Sequence, residues 1–165
     1  MANYESPLLN ATVTTAFRSA GVLYVNTVTA TQRRIQVYEV EFGQAGGLAS
    51  TDVQVQWDLS RFGATAGLVG TSVVPNSMDS ADVSPLSIFQ NNLTTDPTYT
   101  TAGFGLSLKS WGINQRGSYR WRALDDGDNI IIPATAQLGI GLRQQTITGA
   151  NANQSAIGNL SFIER

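Results

Sequence analysis

The chain has 165 residues, of which 42% are hydrophobic, enough for one domain with a sizeable core. Only 13% of residues are charged and the net charge is −2, too small to steer a strongly charged partner. With no cysteine and no histidine, a disulfide framework, thiolate chemistry and the commonest general base and metal ligand are excluded.

The first ten residues, MANYESPLLN, have neither a basic n-region nor an apolar h-region, so a signal peptide is not expected and assembly in a cytosol is. No apolar run approaches membrane-spanning length. This segment precedes the first clear strand pattern. Tyr4, Pro7, Leu8 and Leu9 give it more apolar surface than a free arm needs. Residues 1–10 are therefore expected to form an N-terminal arm that orders on a neighbouring subunit, and residues 11–165 a single domain. The alternative is that Leu8 and Leu9 fold back as an edge strand of their own sheet.

Period two dominates the rest. Strands are expected over residues 12–18, 22–29 and 34–42. In the last, Ile35 and Val37 share one face while Tyr38, Val40 and Phe42 share the other, a phase slip that fits a bulge or a strand buried on both sides. Arg33-Arg34 before it reads as an interface anchor or a solvated strand end. After turn signals at 43–47, Val53, Val55, Trp57 and Leu59 alternate with Asp52, Gln54, Gln56 and Asp58, a half-buried strand. Another turn at 63–67 leads to a strand at 68–74. Residues 76–103 read as a long excursion with one or two short strands. Phe104, Leu106 and Leu108 make the next strand, and Trp111 is the aromatic that alternation leaves exposed.

The stretch RGSYRWRALDDGDNIIIPATA, from Arg116, is the most charged part. Tyr119 and Trp121 fall on one face as core, and Arg120 and Arg122 on the other as an exposed row suited to a partner's carboxylates. A single-stranded nucleic-acid platform would need aromatics and cations on one face, so no nucleic-acid partner is expected. Asp126-Gly127 reads as a hairpin turn joining residues 117–124 to 129–132, because Asp-Gly suits positive φ. Asp125, Asp126 and Asp128 have neither the spacing nor the distal glutamate of a calcium loop, so no metal is expected there. Ala136, Leu138, Ile140 and Leu142 mark an inward face, and residues 157–163 the last strand. No helical stripe and no 20–50-residue repeat is present.

Many short strands with regular turns and one long connection point to an all-β, jelly-roll-like β-sandwich, with an immunoglobulin-like sandwich as the alternative. Lys109 is the single lysine among nine arginines. Interfaces deplete lysine and enrich arginine, so an oligomer or lattice component is expected. Glu39 and Glu41 share a strand face and could do acid/base work on a glycoside, but an outward acidic face is the plainer reading. No nucleophile elbow, phosphate loop or zinc motif occurs, so neither catalysis nor a cofactor is expected.

The stretches SLKSWGINQRGSYRWRALDDGDNIIIPATAQLGIGLR (Ser107 to Arg143) and TDVQVQWDLSRFGATAGLVGTSVVPN (Thr51 to Asn76), with the ending GNLSFIER, resemble capsid cement or decoration proteins of tailed bacteriophages and cyanophages. The resemblance spans most of residues 33–165 and carries no catalytic residues. It implies a jelly-roll homotrimer on the capsid exterior, assembled in the host cytoplasm, that binds the major capsid protein. Tyr4, Leu8, Leu9, Arg120 and Arg122 are then the expected partner contacts. A carbohydrate- or receptor-binding module of a phage fibre is the alternative, marked by an exposed Trp111 flanked by tyrosines.

Overall fold

The computed structural model describes residues 2–12, 16–46, 52–99, 107–146 and 154–165. Its strands are β1 (Asn3–Thr12), β2 (Arg18–Tyr24), β3 (Ile35–Gly46), β4 (Gln54–Phe62), β5 (Val69–Val73), β6 (Asn76–Ser77), β7 (Ile88–Thr95), β8 (Ser107–Asn114), β9 (Ser118–Arg122), β10 (Ile130–Ile132), β11 (Gly139–Thr146) and β12 (Gln154–Glu164). A single 3₁₀ turn, Thr29–Thr31, interrupts the β2–β3 loop.

Two antiparallel sheets form a sandwich. The first has the order β10-β3-β12-β1-β6, with β9 also on β3; the second has the order β5-β7-β2-β11-β4-β8. Without β5, β6 and β7, the orders reduce to β1-β12-β3-β9/β10 and β2-β11-β4-β8. With β9 and β10, which share one edge of β3, counted as one step, successive strands then alternate between sheets except at β4–β8, which pair side by side. This is the jelly-roll connectivity, so the immunoglobulin-like alternative falls. The long excursion after β4 adds β5 and β7 to one edge of the second sheet and β6 to an edge of the first.

Period two places the core. Val55, Trp57 and Leu59 of β4 and Ile140 and Leu142 of β11 are fully buried between the sheets, and Leu138 packs against them part-buried. The strand expected from Ala136 starts later, because Thr135 to Leu138 is a turn with Gln137 at φ +64°. The phase slip in β3 is a bulge. Ser161 pairs with Glu39 and Phe162 with Val37, which leaves Tyr38 as the extra residue. Ile35 and Val37 before it, and Val40 and Phe42 after it, therefore all reach the core.

Four expectations need correction. Residues 3–12 are no arm: β1 lies between β12 and β6, with Tyr4 and Leu8 buried in their own core and Leu9 paired with Ile157 in the ladder. Alternating Tyr4, Ser6 and Leu8 inward meets the period-two requirement, and β12 satisfies the backbone groups. Residues 43–46 continue β3 and are not a turn. Asp126-Gly127 is no hairpin: β9 and β10 run in the same direction along one edge of β3, and residues 123–129 bulge out between them. Neither Asp126 nor Gly127 takes the positive φ that a two-residue hairpin requires. The strand expected over 12–18 falls on the ends of β1 and β2 and on residues 13–15, which lie outside the described residues, as do Phe104 and Leu106.

Gly158 in β12 has φ +151°, and a Cβ there would collide with the carbonyl oxygen of Glu41. Gly158→Ala is expected to destabilise the fold by at least about 2 kcal/mol, read as a lowered midpoint in denaturant.

Candidate functional site

The outer face of the first sheet carries the arginine row. Register sets Arg122 opposite Glu39 and Arg120 opposite Glu41. Arg120 bonds Glu39 at 2.7 Å and Arg122 lies 3.6 Å from the same carboxylate. The two guanidiniums are well exposed, yet both are engaged within the chain. Glu41 lines a shallow concavity of about 490 Å³ with Pro7, Gln44, Arg116, Ile157 and Asn159. Arg116 there is bonded to Asp52.

The acidic loop 123–129 is likewise self-contained. Asp125 accepts the Gly127 N–H at 2.7 Å, and its carbonyl accepts the Asp128 N–H. Asp126 faces Arg165 at 4.0 Å. Leu124 stands almost fully exposed beside it.

The aromatics close the open side between the sheets. Trp57, Phe42, Trp111 and Tyr119 form a chain of tilted rings with centroids 4.6–5.7 Å apart. Lys109 of β8 reaches across to lie over the Trp121 ring of β9, 5.1 Å from its centroid. Tyr119 and Trp121 thus take the expected inward face, but edge position leaves Tyr119 39% exposed. Trp111 is part-buried, with Phe42 and Tyr119 both in ring contact with it.

Sequence reading missed a buried polar cluster on the outer face of the second sheet. The chain after β7 crosses this face and covers Val22, Tyr24, Phe62 and Leu93 with Tyr99. Beside them Arg143 bonds Asp58 at 2.8 Å and Ser60 at 2.8 Å, with its guanidinium 4.3 Å from the Tyr99 ring and 4.7 Å from that of Phe17. Ser60 also bonds Asp58, Ser110 donates to it at 3.2 Å, and Ser19 meets the Tyr99 hydroxyl at 2.7 Å. Burial pushes the Asp58 carboxyl up, but hydrogen bonds from Ser107, Ser60 and Arg143, with the charge of Arg143, outweigh it and hold it below the ordinary range. Burial pushes the Tyr99 hydroxyl far up, so it stays neutral. Apart from the Arg143 Nε, which is buried without a hydrogen-bond partner among the described residues, every group is engaged with another, so the cluster acts as a clamp that fixes the returning excursion.

One end of the sandwich is different. β2 ends beside the start of β7, where Tyr24 pairs with Ile88. β3 starts opposite Glu164, whose carboxylate accepts the N–H groups of Leu86 and Ser87 at 3.0 and 2.7 Å. Loop 25–34 and excursion turn 74–87 therefore share this end. They hold exposed Val28, Val74, Met78 and Val83. The turn is firmly tied: Tyr4 donates to the Val83 carbonyl at 2.9 Å, Met78 N–H to Asn3, and Ala81 N–H to Asp79.

Compared with protein-family models and with curated proteins, the sequence finds no match.

Proposed function

We propose that the chain is a structural virion protein, a phage capsid cement or decoration protein that sits as a homotrimer on the shell exterior and binds neighbouring major capsid protein subunits. The observation that carries this reading is the end face: apolar side chains are held outward on a backbone tied down by Tyr4 and Glu164. Such a surface is ordered before it binds, which lowers the entropic cost of contact. A surface with one lysine and few charges has the composition of a contact protein. Each copy adds modest area, and linked copies gain through effective concentration. The sequence resemblance supports the assignment to the shell. Attachment by residues 1–10 is not part of the reading, since β1 belongs to the sheet.

The second reading, a carbohydrate-binding module, is favoured by the Trp111–Tyr119 pair at the open edge. Their planes differ by 40°, which makes a packed cluster more than a flat platform.

The test is to mix purified protein with undecorated shells. Saturable co-sedimentation and a raised shell disruption temperature are expected. Protein that stays in the supernatant at all concentrations overturns the reading.

A further inference from the structure

The chain satisfies nearly all of its own positive charge. Arg116, Arg120, Arg122, Arg143 and Arg165 meet carboxylates. Arg18 and Arg61 donate to the carbonyls of Thr94 and Ile131, and Lys109 covers Trp121. Among the described residues, Arg33 reaches only its neighbour's carbonyl, Gln32, and Arg34 makes no side-chain bond. Both are exposed, and both lie in the β2–β3 loop with exposed Val28.

The excursion turn at the same end carries the opposite sign. Asp79 is exposed and Asp82 is half-buried, and among the described residues neither meets a cation. The exposed Met78 and Val83 flank them in the chain. The end face thus has a basic half with an apolar contact and an acidic half with apolar contacts, and the two halves make no ion pair with each other in one chain.

We infer that this end face is where two copies of the chain meet, with Arg33 and Arg34 of one copy against Asp79 and Asp82 of the next and Val28 against Met78 and Val83. Charge complementarity selects the occupant: the chain itself displays both halves. Opposite charges around an apolar centre fix register and exclude like-to-like approach. A contact between different halves also lets copies close into a ring. The inference rests on the reading that the chain self-associates, and it does not depend on the shell being a partner.

The experiment is sedimentation and light scattering on the full chain. Wild type is expected to exceed the 17.6 kDa of one chain at high micromolar concentration. Arg33→Glu/Arg34→Glu is expected to weaken self-association by at least about tenfold, with an unchanged circular dichroism spectrum. Adding Asp79→Arg/Asp82→Arg to that variant swaps both halves and is expected to restore self-association, while the swapped protein no longer mixes with wild type. A monomeric wild type overturns the inference, as does a double variant that assembles like wild type or a swapped variant that stays apart. Assembly through this face with no shell binding leaves the inference standing and removes the cement reading. Shell binding by a monomer, lost in Arg33→Glu/Arg34→Glu, assigns the face to the shell instead.

Discussion

Trp57→Ala is expected to cost about 3–5 kcal/mol and to lower the melting temperature on the order of 10 °C. Trp57 is fully buried and its ring centroid lies 4.6 Å from that of Phe42. Both sheets pack on it, so its removal leaves a cavity that β3 and β4 cannot close without breaking their ladders. Among the described residues, the indole Nε1 has no hydrogen-bond partner. Trp57→Phe removes that unsatisfied donor while keeping most of the ring, and is therefore expected to cost markedly less than the alanine change. Equal melting temperatures for wild type and Trp57→Ala would contradict the placement of the core.

Arg143→Met is expected to be comparably damaging, about 3–5 kcal/mol, because it strands the Asp58 carboxylate in a buried site. The Asp58 side chain is 6% exposed and that of Arg143 17%. Asp58→Asn/Arg143→Met should cost less than Arg143→Met alone, since removing both charges leaves none unpaired. The clamp also has an acid signature. The folded-state value of Asp58 lies below its ordinary 3.8, so its contribution is present above that value and is lost as pH falls through the lower, folded one. The gap in melting temperature between wild type and Asp58→Asn should therefore narrow below pH 3.8. A gap that widens on acidification would contradict the assignment.

The jelly roll was legible where one sheet face is buried and the other open. β4 wrote its inward residues at alternate positions, and the phase slip in β3 marked the Tyr38 bulge. Legibility failed where a second layer covers a sheet. In β2 and the residue after it, Val22 and Tyr24 face the excursion while Leu23 and Val25 face the main core, so both parities are apolar or buried and alternation vanishes. The same covering hides the Arg143 clamp. Asp58 and Arg143 read as outward polar positions, and only the β4–β11 register, joining residues 85 apart, brings them together.

Residues 3–12 were misread for a different reason. A strand that carries Pro7 and ends in polar residues resembles an arm until β12 supplies its partner. The arginine row was placed correctly on its face, but its partner, Glu39, lies on β3, 81 residues from Arg120 in sequence. Pattern along the chain finds faces; it does not find which face meets which. The end-face residues were partly visible, since Arg33-Arg34 before a strand read as an interface anchor or a solvated strand end. The acidic half was lost in the long excursion, where no periodicity signals what is held outward.

The proposed place on a phage shell is decided by image reconstruction of the particle. Density is expected for a two-sheet jelly roll on the outside of the shell, repeated as three-fold clusters, with the end bearing Val28, Val74, Met78 and Val83 buried in a protein contact. A virion without this density on its shell, or a shell-bound sandwich whose end face points free into solvent, would contradict it.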